Sequence, residues 1–589
     1  MKALHLGYDA TKRAIRLRPE DRKTHMHVIG SSGSGKSKFL EWMIRGDLKN
    51  RQGFCLIDPH GTLYNDVLAY CAHHVLDRDI VLLNLSSPSS VIGFNPFHKS
   101  TSADVSVQVD RRIAATMHAW NVANTDQTPT LERVLRLVYT SMLEQDLGLP
   151  QVQHLIDFNA HTIRAHLVEG LASSLIQKEW REIQQLRAAD WRAEILSTKN
   201  RLFRLLTSPT LSRFMGVPER TIDLQEIMDQ GKILLVNLAP SDQLSHENAR
   251  VFGALLVNEF FEHALRRQKT QRGTDPEPYY LYLDEFQNFV SLDLTEMLDQ
   301  VRKFGLFLVM AHQRFGQLDE NLIDAVLTNC GIRAVFGGLP AESAKIMAQE
   351  MFIKELDPKK IKAAIYQTKF WPEYRRDKVY SSATTHSSGS SSGRSAGLGS
   401  GFNTTTGEFF QPGDWFSGPT SAGNSVADSS SAFSFSGSGH STSESFGETE
   451  GVADIPIFVP MPFQELSSIQ YFTLEEQLLE LTAALKEQFE RHCFIKIKRE
   501  STQPMLVPYV KSFYTSQQNL EWYTEKVLMK QDALKPTEVD ELIEAQEQAL
   551  VKAASVGRSD VNAGSGFTEK PRRRKSARES LFATIKEPS

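Results

Sequence analysis

Eight consecutive residues, Gly30, Ser31, Ser32, Gly33, Ser34, Gly35, Lys36 and Ser37, satisfy the pattern G-x-x-x-x-G-K-[ST] with no departure. Glycines at these spacings let backbone N–H groups turn inward around a phosphate chain, where side chains would obstruct them. His25 to Ile29 ahead of the loop reads as a strand, and Phe39, Leu40, Met43 and Ile44 behind it recur at helical spacing. The loop therefore opens a helix whose positive end faces the same anion. In that setting Lys36 reaches the β- and γ-phosphates of ATP, and the Ser37 hydroxyl ligates Mg2+. A chance Gly/Ser loop would lack both flanking elements.

A phosphate loop alone does not separate hydrolysis from storage or phosphate transfer. The run Tyr279 to Leu283 delivers two carboxylates at its end, Asp284 and Glu285. Asp284 is expected in the magnesium shell, and Glu285 as the base that orients and deprotonates water. The competing reading is an acidic pair that merely caps a strand. A carboxylate acting on water favours hydrolysis over kinase chemistry, and no NKxD-type guanine reader occurs. Gln313 follows the apolar run Leu306 to Ala311 and is expected to sense the γ-phosphate. Arg302 precedes the same run, where an arginine could reach the phosphate of a neighbouring subunit. A solvated helix end beside Lys303 is its plainer reading, and Arg333 competes for the same role.

Short apolar runs at His25 to Ile29, Phe54 to Ile57 and Ile80 to Leu83 alternate with helical signals. That order predicts an α/β fold with a mostly parallel sheet covered on both faces. The chain, at 589 residues, is too long for one core, so two or three folded units are expected. Residues 1–104 are expected to form the first part of the ATPase core, the part that carries the phosphate loop. From 105 to 221 strand signals vanish and helical ones follow one another (Leu131 to Met142, Thr162 to Leu175, Trp180 to Leu206), which predicts an all-helical insertion. Alternation resumes over 222–380 with strands at Ile233 to Asn237, Tyr279 to Leu283, Leu306 to Ala311 and Ile332 to Phe336. Residues 381–451 are rich in Ser, Gly and Thr and are expected to be a disordered linker, since such composition cannot bury a core. Residues 452–515 carry a helix, Leu474 to Gln488, and a strand pair, Cys493 to Lys498 with Met505 to Val510. Residues 516–589 read as a helical, basic and largely disordered tail, ending in Lys570, Arg572, Arg573, Arg574, Lys575 and Arg578.

The formal net charge of -5 argues against a uniformly basic nucleic-acid coat, although a local basic channel is compatible with it. No apolar run approaches the roughly 20 residues needed to span a bilayer, and the N-terminus lacks the apolar stretch of a signal peptide. Cys55, Cys71, Cys330 and Cys493 form no CxxC pattern, so neither a zinc site nor a disulfide framework is expected. A reducing cytoplasm fits that usage.

Several motifs together resemble the HerA–FtsK superfamily of ring-forming translocases. Within it the chain is similar to the coupling-protein ATPases of conjugative type IV secretion. The residues that carry the resemblance are Arg22 to Ser37, IDPHG at Ile57 to Gly61, GFNPF at Gly93 to Phe97, LYLDEFQNF at Leu281 to Phe289, and RKFGLFLVMAHQ at Arg302 to Gln313. It covers roughly Asp21 to Leu339 and, more weakly, Phe472 to Val510. The resemblance implies a RecA-like P-loop NTPase domain with a helical domain inserted after its third strand. It further implies a homo-hexameric ring with ATP sites between subunits, single- or double-stranded DNA in the pore, and Arg302 as the finger acting on the neighbour. Secretion-channel and relaxosome proteins are the partners it suggests. Typical coupling proteins carry N-terminal transmembrane helices, which are not visible here. The expectation is therefore a cytoplasmic motor recruited to the inner face of the membrane by another protein, or one serving a different mobile-element process. A secretion or assembly ATPase that acts on protein, with the same motor core, remains the alternative.

Overall fold

The structure is a computed structural model that describes residues 2–98, 104–122, 129–217, 221–270, 276–290, 298, 300–389, 397–407, 425–435, 443–511, 515–531 and 533–562. The chain divides into two units, Met1–Lys359 with Phe472–Ser589, and Lys360–Tyr471.

The strands of the first unit, in chain order, begin with β1 (Leu4–Tyr8), β2 (Ala14–Leu17), β3 (His25–Ile29), β4 (Phe54–Asp58) and β5 (Ile80–Asn84). They continue with β6 (Ile233–Asn237), β7 (Tyr279–Leu283), β8 (Leu306–His312) and β9 (Cys330–Phe336). Four further strands, β10 (Ile361–Gly389), β11 (Gly397–Gly407), β12 (Ser425–Phe435) and β13 (Ser443–Tyr471), belong to the second unit, and β14 (His492–Ile497) and β15 (Gln503–Leu506) return to the first. Among the described residues, eleven strands form one sheet in the order β2-β1-β15-β14-β9-β3-β8-β7-β4-β6-β5. The block from β9 to β5 is parallel. An antiparallel flank of β14, β15, β1 and β2 extends it beyond β9.

The parallel strands are continuous apolar runs because both faces are covered. Every residue of β4 is buried: Cys55 and Ile57 enter one core layer, Phe54 and Leu56 the other. Alternate side chains of a strand point to opposite faces, so four successive residues serve two cores. The predicted parallel α/β arrangement is thus the one observed.

Between β5 and β6 the described chain is helical from Val105–Ala119 to Pro209–Met215. The insertion is tied to the helix His246–Thr270 by the buried Arg112 guanidinium, which meets Glu259 at 2.6 Å and Glu262 at 3.2 Å. The C-terminal stretch, expected to be helical in part and otherwise largely disordered, is helical at Gln517–Met529 and Pro536–Asn562. Tyr523, Val527, Val539 and Leu550 bury apolar surface against the core, which repays the ordering of those helices. The basic cluster at 570–578 lies outside the described residues. No helix among the described residues is long and apolar enough to cross a membrane.

The second unit differs from its expectation. Residues 381–451 were expected to lack structure, yet strand covers 381–389, 397–407, 425–435 and 443–451. β10 and β13 are 29 residues each and pair antiparallel, from Ile361 opposite Tyr471 to Gly389 opposite Ser443. β11 and β12 pair from Gly397 opposite Phe435 to Gly407 opposite Ser425. Composition argues against a core here. It says nothing about backbone pairing, which needs no buried side chains.

Candidate nucleotide site

The C-terminal ends of β3, β4, β7 and β8 lie side by side, because β3 pairs β8, β8 pairs β7 and β7 pairs β4, all in parallel. Ligands of open α/β sheets bind at this edge. Each strand end carries one of the motifs read from the sequence.

After β3 the loop Gly30–Ser37 turns through two left-handed glycines, Gly33 and Gly35, at φ 78 and 106°. At Gly30 a Cβ would stand 2.5 Å from Cβ of Phe336, so a side chain there would push β9 away. Lys36 opens helix α1 (Lys36–Asn50) and folds its Nζ back onto the carbonyls of Gly30 at 2.6 Å and Ser31 at 2.9 Å. Burial lowers its pKa, while Asp284 and Glu285 pull it back up.

β7 runs directly into Asp284 and Glu285, both nearly inaccessible. Ser37 Oγ donates to Asp284 Oδ2 at 3.3 Å, which joins the loop to the acidic strand end. Burial, then the neighbouring charges of Asp58 and Glu285, push the Asp284 carboxyl up to about 6. A hydroxyl and a carboxylate crowded by further negative charge form a hard-oxygen donor set suited to Mg2+, whose charge would relieve that crowding.

Glu285 adopts φ 50°, ψ 50°, a left-handed conformation for a residue with a Cβ. Such a geometry costs of order 1–3 kcal/mol and survives only where the surroundings over-determine it. Two amides do so here. Gln313 Nε2 donates to Glu285 Oε1 at 2.6 Å, and Gln287 Nε2 donates to Oε2 at 2.7 Å. The sequence located Gln313; Gln287 was passed over, although it stands in the quoted LYLDEFQNF run.

Three other contributions escaped the sequence reading. Asp58 at the end of β4 accepts from the backbone N–H groups of His60 and Tyr64, both at 2.8 Å, so the IDPHG motif is a turn that caps helix α2 (Thr62–His73) beside Asp284. His27 and His312, neighbours across β3 and β8, approach Nε2 to Nε2 at 2.7 Å, and burial lowers His312 to about 3. Arg491, just before β14, donates its backbone N–H to Ser34 O at 3.1 Å. No local signal could have shown that contact, which spans more than 450 residues of sequence.

Arg302 is exposed and sits ahead of β8, at the opposite end of the parallel strands. It lines a groove with Lys23, Lys498 and Arg499 there. A seven-residue strand separates it from Gln313, about 20 Å at ~3.3 Å per residue, so it does not reach its own chain's Lys36. Arg333 lies within β9, donates to Leu327 O and meets Glu350 at 3.5 Å, so it is engaged inside the unit.

A phosphate loop at the head of a parallel sheet, facing an acidic strand end and a glutamine on the next strand, defines a P-loop NTPase of the RecA-like kind. The chain belongs to the family described as the type IV secretion-system coupling protein DNA-binding domain, which matches residues 12–365. Comparison with curated proteins finds no match. Among solved structures, the bacterial conjugative coupling protein TrwBdeltaN70 is similar at 11% identity, over 87% of this chain and 90% of that one, with a TM-score of 0.47. The plasmid coupling protein TrwB in complex with ADP and Mg2+ follows at 14% identity, 59% and 78% coverage, and a TM-score of 0.42. VirB4 of Thermoanaerobacter pseudethanolicus is similar at 13% identity, 60% and 89% coverage, and a TM-score of 0.41.

Proposed function

We propose that this chain hydrolyses ATP and uses the cycle to move DNA, as a coupling ATPase of conjugative type IV secretion working in a homo-hexameric ring. The observation that carries the hydrolysis is the amide clamp on Glu285. Gln313 and Gln287 fix both carboxylate oxygens beside Lys36 and Asp284, which is what a base aimed at a water nucleophile requires. Gly30 to Gly35 cradle the phosphates, and Lys36, drawn off the carbonyls it now holds, neutralises them. Ser37 and Asp284 would hold Mg2+, which supplies charge neutralisation on the phosphates. Gln313 links the state of the γ-phosphate to the base through a bond it already makes.

Two further points support a shared site and a DNA substrate. Arg302 is exposed and too far from its own loop, as a finger serving the adjacent copy must be. Membership of a DNA-binding domain family favours DNA over protein as the translocated polymer.

The decisive measurement is steady-state ATP turnover with and without single- and double-stranded DNA. Stimulation by DNA, lost in Glu285→Gln while nucleotide binding persists, is the expected result. Robust turnover indifferent to both DNA forms would overturn the translocase reading.

A further inference from the structure

β10 and β13 form a two-stranded sheet whose outer edges, among the described residues, pair with nothing. At 29 residues each strand runs about 95 Å, far beyond the usual strand length, and a lone two-stranded ladder is marginal in water. It is not sealed by its own side chains either: Phe370, Trp371, Tyr374 and Phe458 are each more than half exposed. Proteins ordinarily shorten, cover or blunt such edges.

The prolines show which backbone groups face outward. Pro372 stands opposite Pro460, and neither has an N–H, so this is a non-hydrogen-bonded pair of the ladder. The register is uniform from Tyr366 opposite Leu466 to Gly389 opposite Ser443. Even-numbered residues of both strands therefore aim their N–H and C=O away from the partner strand. Prolines remove outward donors at Pro372, Pro456, Pro460 and Pro462, all toward one end. Beyond Glu373 on β10 and before Pro456 on β13 no proline occurs, and none occurs in β11 or β12. The same register continues there, since seven residues separate the two ladders on each side, 390–396 and 436–442.

The two edges also differ in charge. β10 carries Lys362, Lys369, Arg375, Arg376 and Lys378 against Glu373 and Asp377, whereas β13 carries Glu444, Glu448, Glu450, Asp454 and Glu465 with no Lys or Arg. Lys369 and Glu465 already make an ion pair across the ladder, so the complementarity works at this spacing. One edge is basic and the other acidic, and both present unpaired backbone groups. The piece that satisfies both is another hairpin of the same kind.

We propose that hairpins of neighbouring copies pair edge to edge, β10 of one against β13 of the next, into one continuous antiparallel sheet with two strands per copy. The contact is heterologous, so it propagates around a set of copies and leaves no edge where the set closes. Pairing is strongest in the proline-free stretch beyond Glu373 and before Pro456. Closure rests on the ring reading above, but the edge pairing does not.

The test uses the full chain, whose four native cysteines are buried. Thr384→Cys protein is mixed with Glu444→Cys, Glu448→Cys or Asp454→Cys protein under mild oxidation. A covalent dimer containing one copy of each partner is expected for at least one combination. A second variant replaces 361–471 by a short turn, which is feasible because Ile361 pairs directly with Tyr471 and, among the described residues, none of that span enters the buried cores. Sedimentation should show self-association of this variant weaker than wild type by about tenfold or more, ~1.4 kcal/mol. No covalent dimer in any combination, together with unchanged self-association, overturns the proposal. So does uptake of uncrosslinked wild-type monomer into phosphatidylcholine vesicles, which would make lipid the occupant. ATP-analogue binding by the truncated variant reports on the nucleotide site separately, so the two readings fail independently.

Discussion

In the first unit β4 is five residues long and every one of them is buried, whereas in the second β10 is 29 residues long and Trp371 and Tyr374 are 67% and 69% exposed. Both are β-strands by backbone pairing, yet their stability has different sources. β4 is held by apolar surface on two faces, and its ends can carry polar groups at fixed positions because its middle cannot move. β10 is held by one ladder, and its residues 361–378 are all exposed. Chemistry that needs sub-ångström placement belongs to the first kind of strand, and association belongs to the second.

That contrast can be broken at several points. The largest effect is expected from Lys36→Ala, which should reduce ATP turnover to background. The contrast fails if removing 361–471 does the same to nucleotide binding. Arg302→Ala should lower turnover by ~10³-fold or more while sparing binding, the scale of an arginine finger. Mixing it with Lys36→Ala protein should restore part of the activity, and no recovery at any ratio would sink the finger. Glu285→Gln should cost about 10²- to 10⁴-fold in turnover, measured by phosphate release.

Smaller effects concern stability. Arg22 reaches both carboxylate oxygens of Asp47 at 2.5 and 2.6 Å beneath Tyr282, whose hydroxyl donates to the same carboxylate at 2.6 Å. Asp47→Ala leaves that guanidinium buried without its counter-charge, so urea unfolding should register a loss of about 3–5 kcal/mol. Tyr374→Ala, on the exposed ladder, should stay within about 0.5 kcal/mol in the same assay. A large loss there would mean the hairpin contributes to the core after all.

What the sequence disclosed follows the same division. Lys36, Ser37, Asp284, Glu285 and Gln313 were readable because each sits within a few residues of a strand whose apolar run is unmistakable. The strand that delivers each group and the group itself are one local signal. Gln287 was in view but had no assigned role, because its bond to Glu285 depends on the left-handed turn at that residue. β1 and β2 were missed because LHLGY and AIRL are short and polar-punctuated, and they are ordered by pairing with each other and with the distant β15. The hairpin was misjudged for a different reason. Ser, Gly and Thr predict poor burial, and a ladder of backbone N–H and C=O groups needs no burial to form.

The N–H that Arg491 extends to Ser34 has a practical meaning for anyone dividing this protein. The family match stops at residue 365, and cutting there would seem natural. A fragment so made would keep every residue of the phosphate loop yet lose one wall of it, along with β14 and β15, leaving β9 as a raw sheet edge. The smallest piece that can be a working nucleotide site is longer than the piece that is recognisably one.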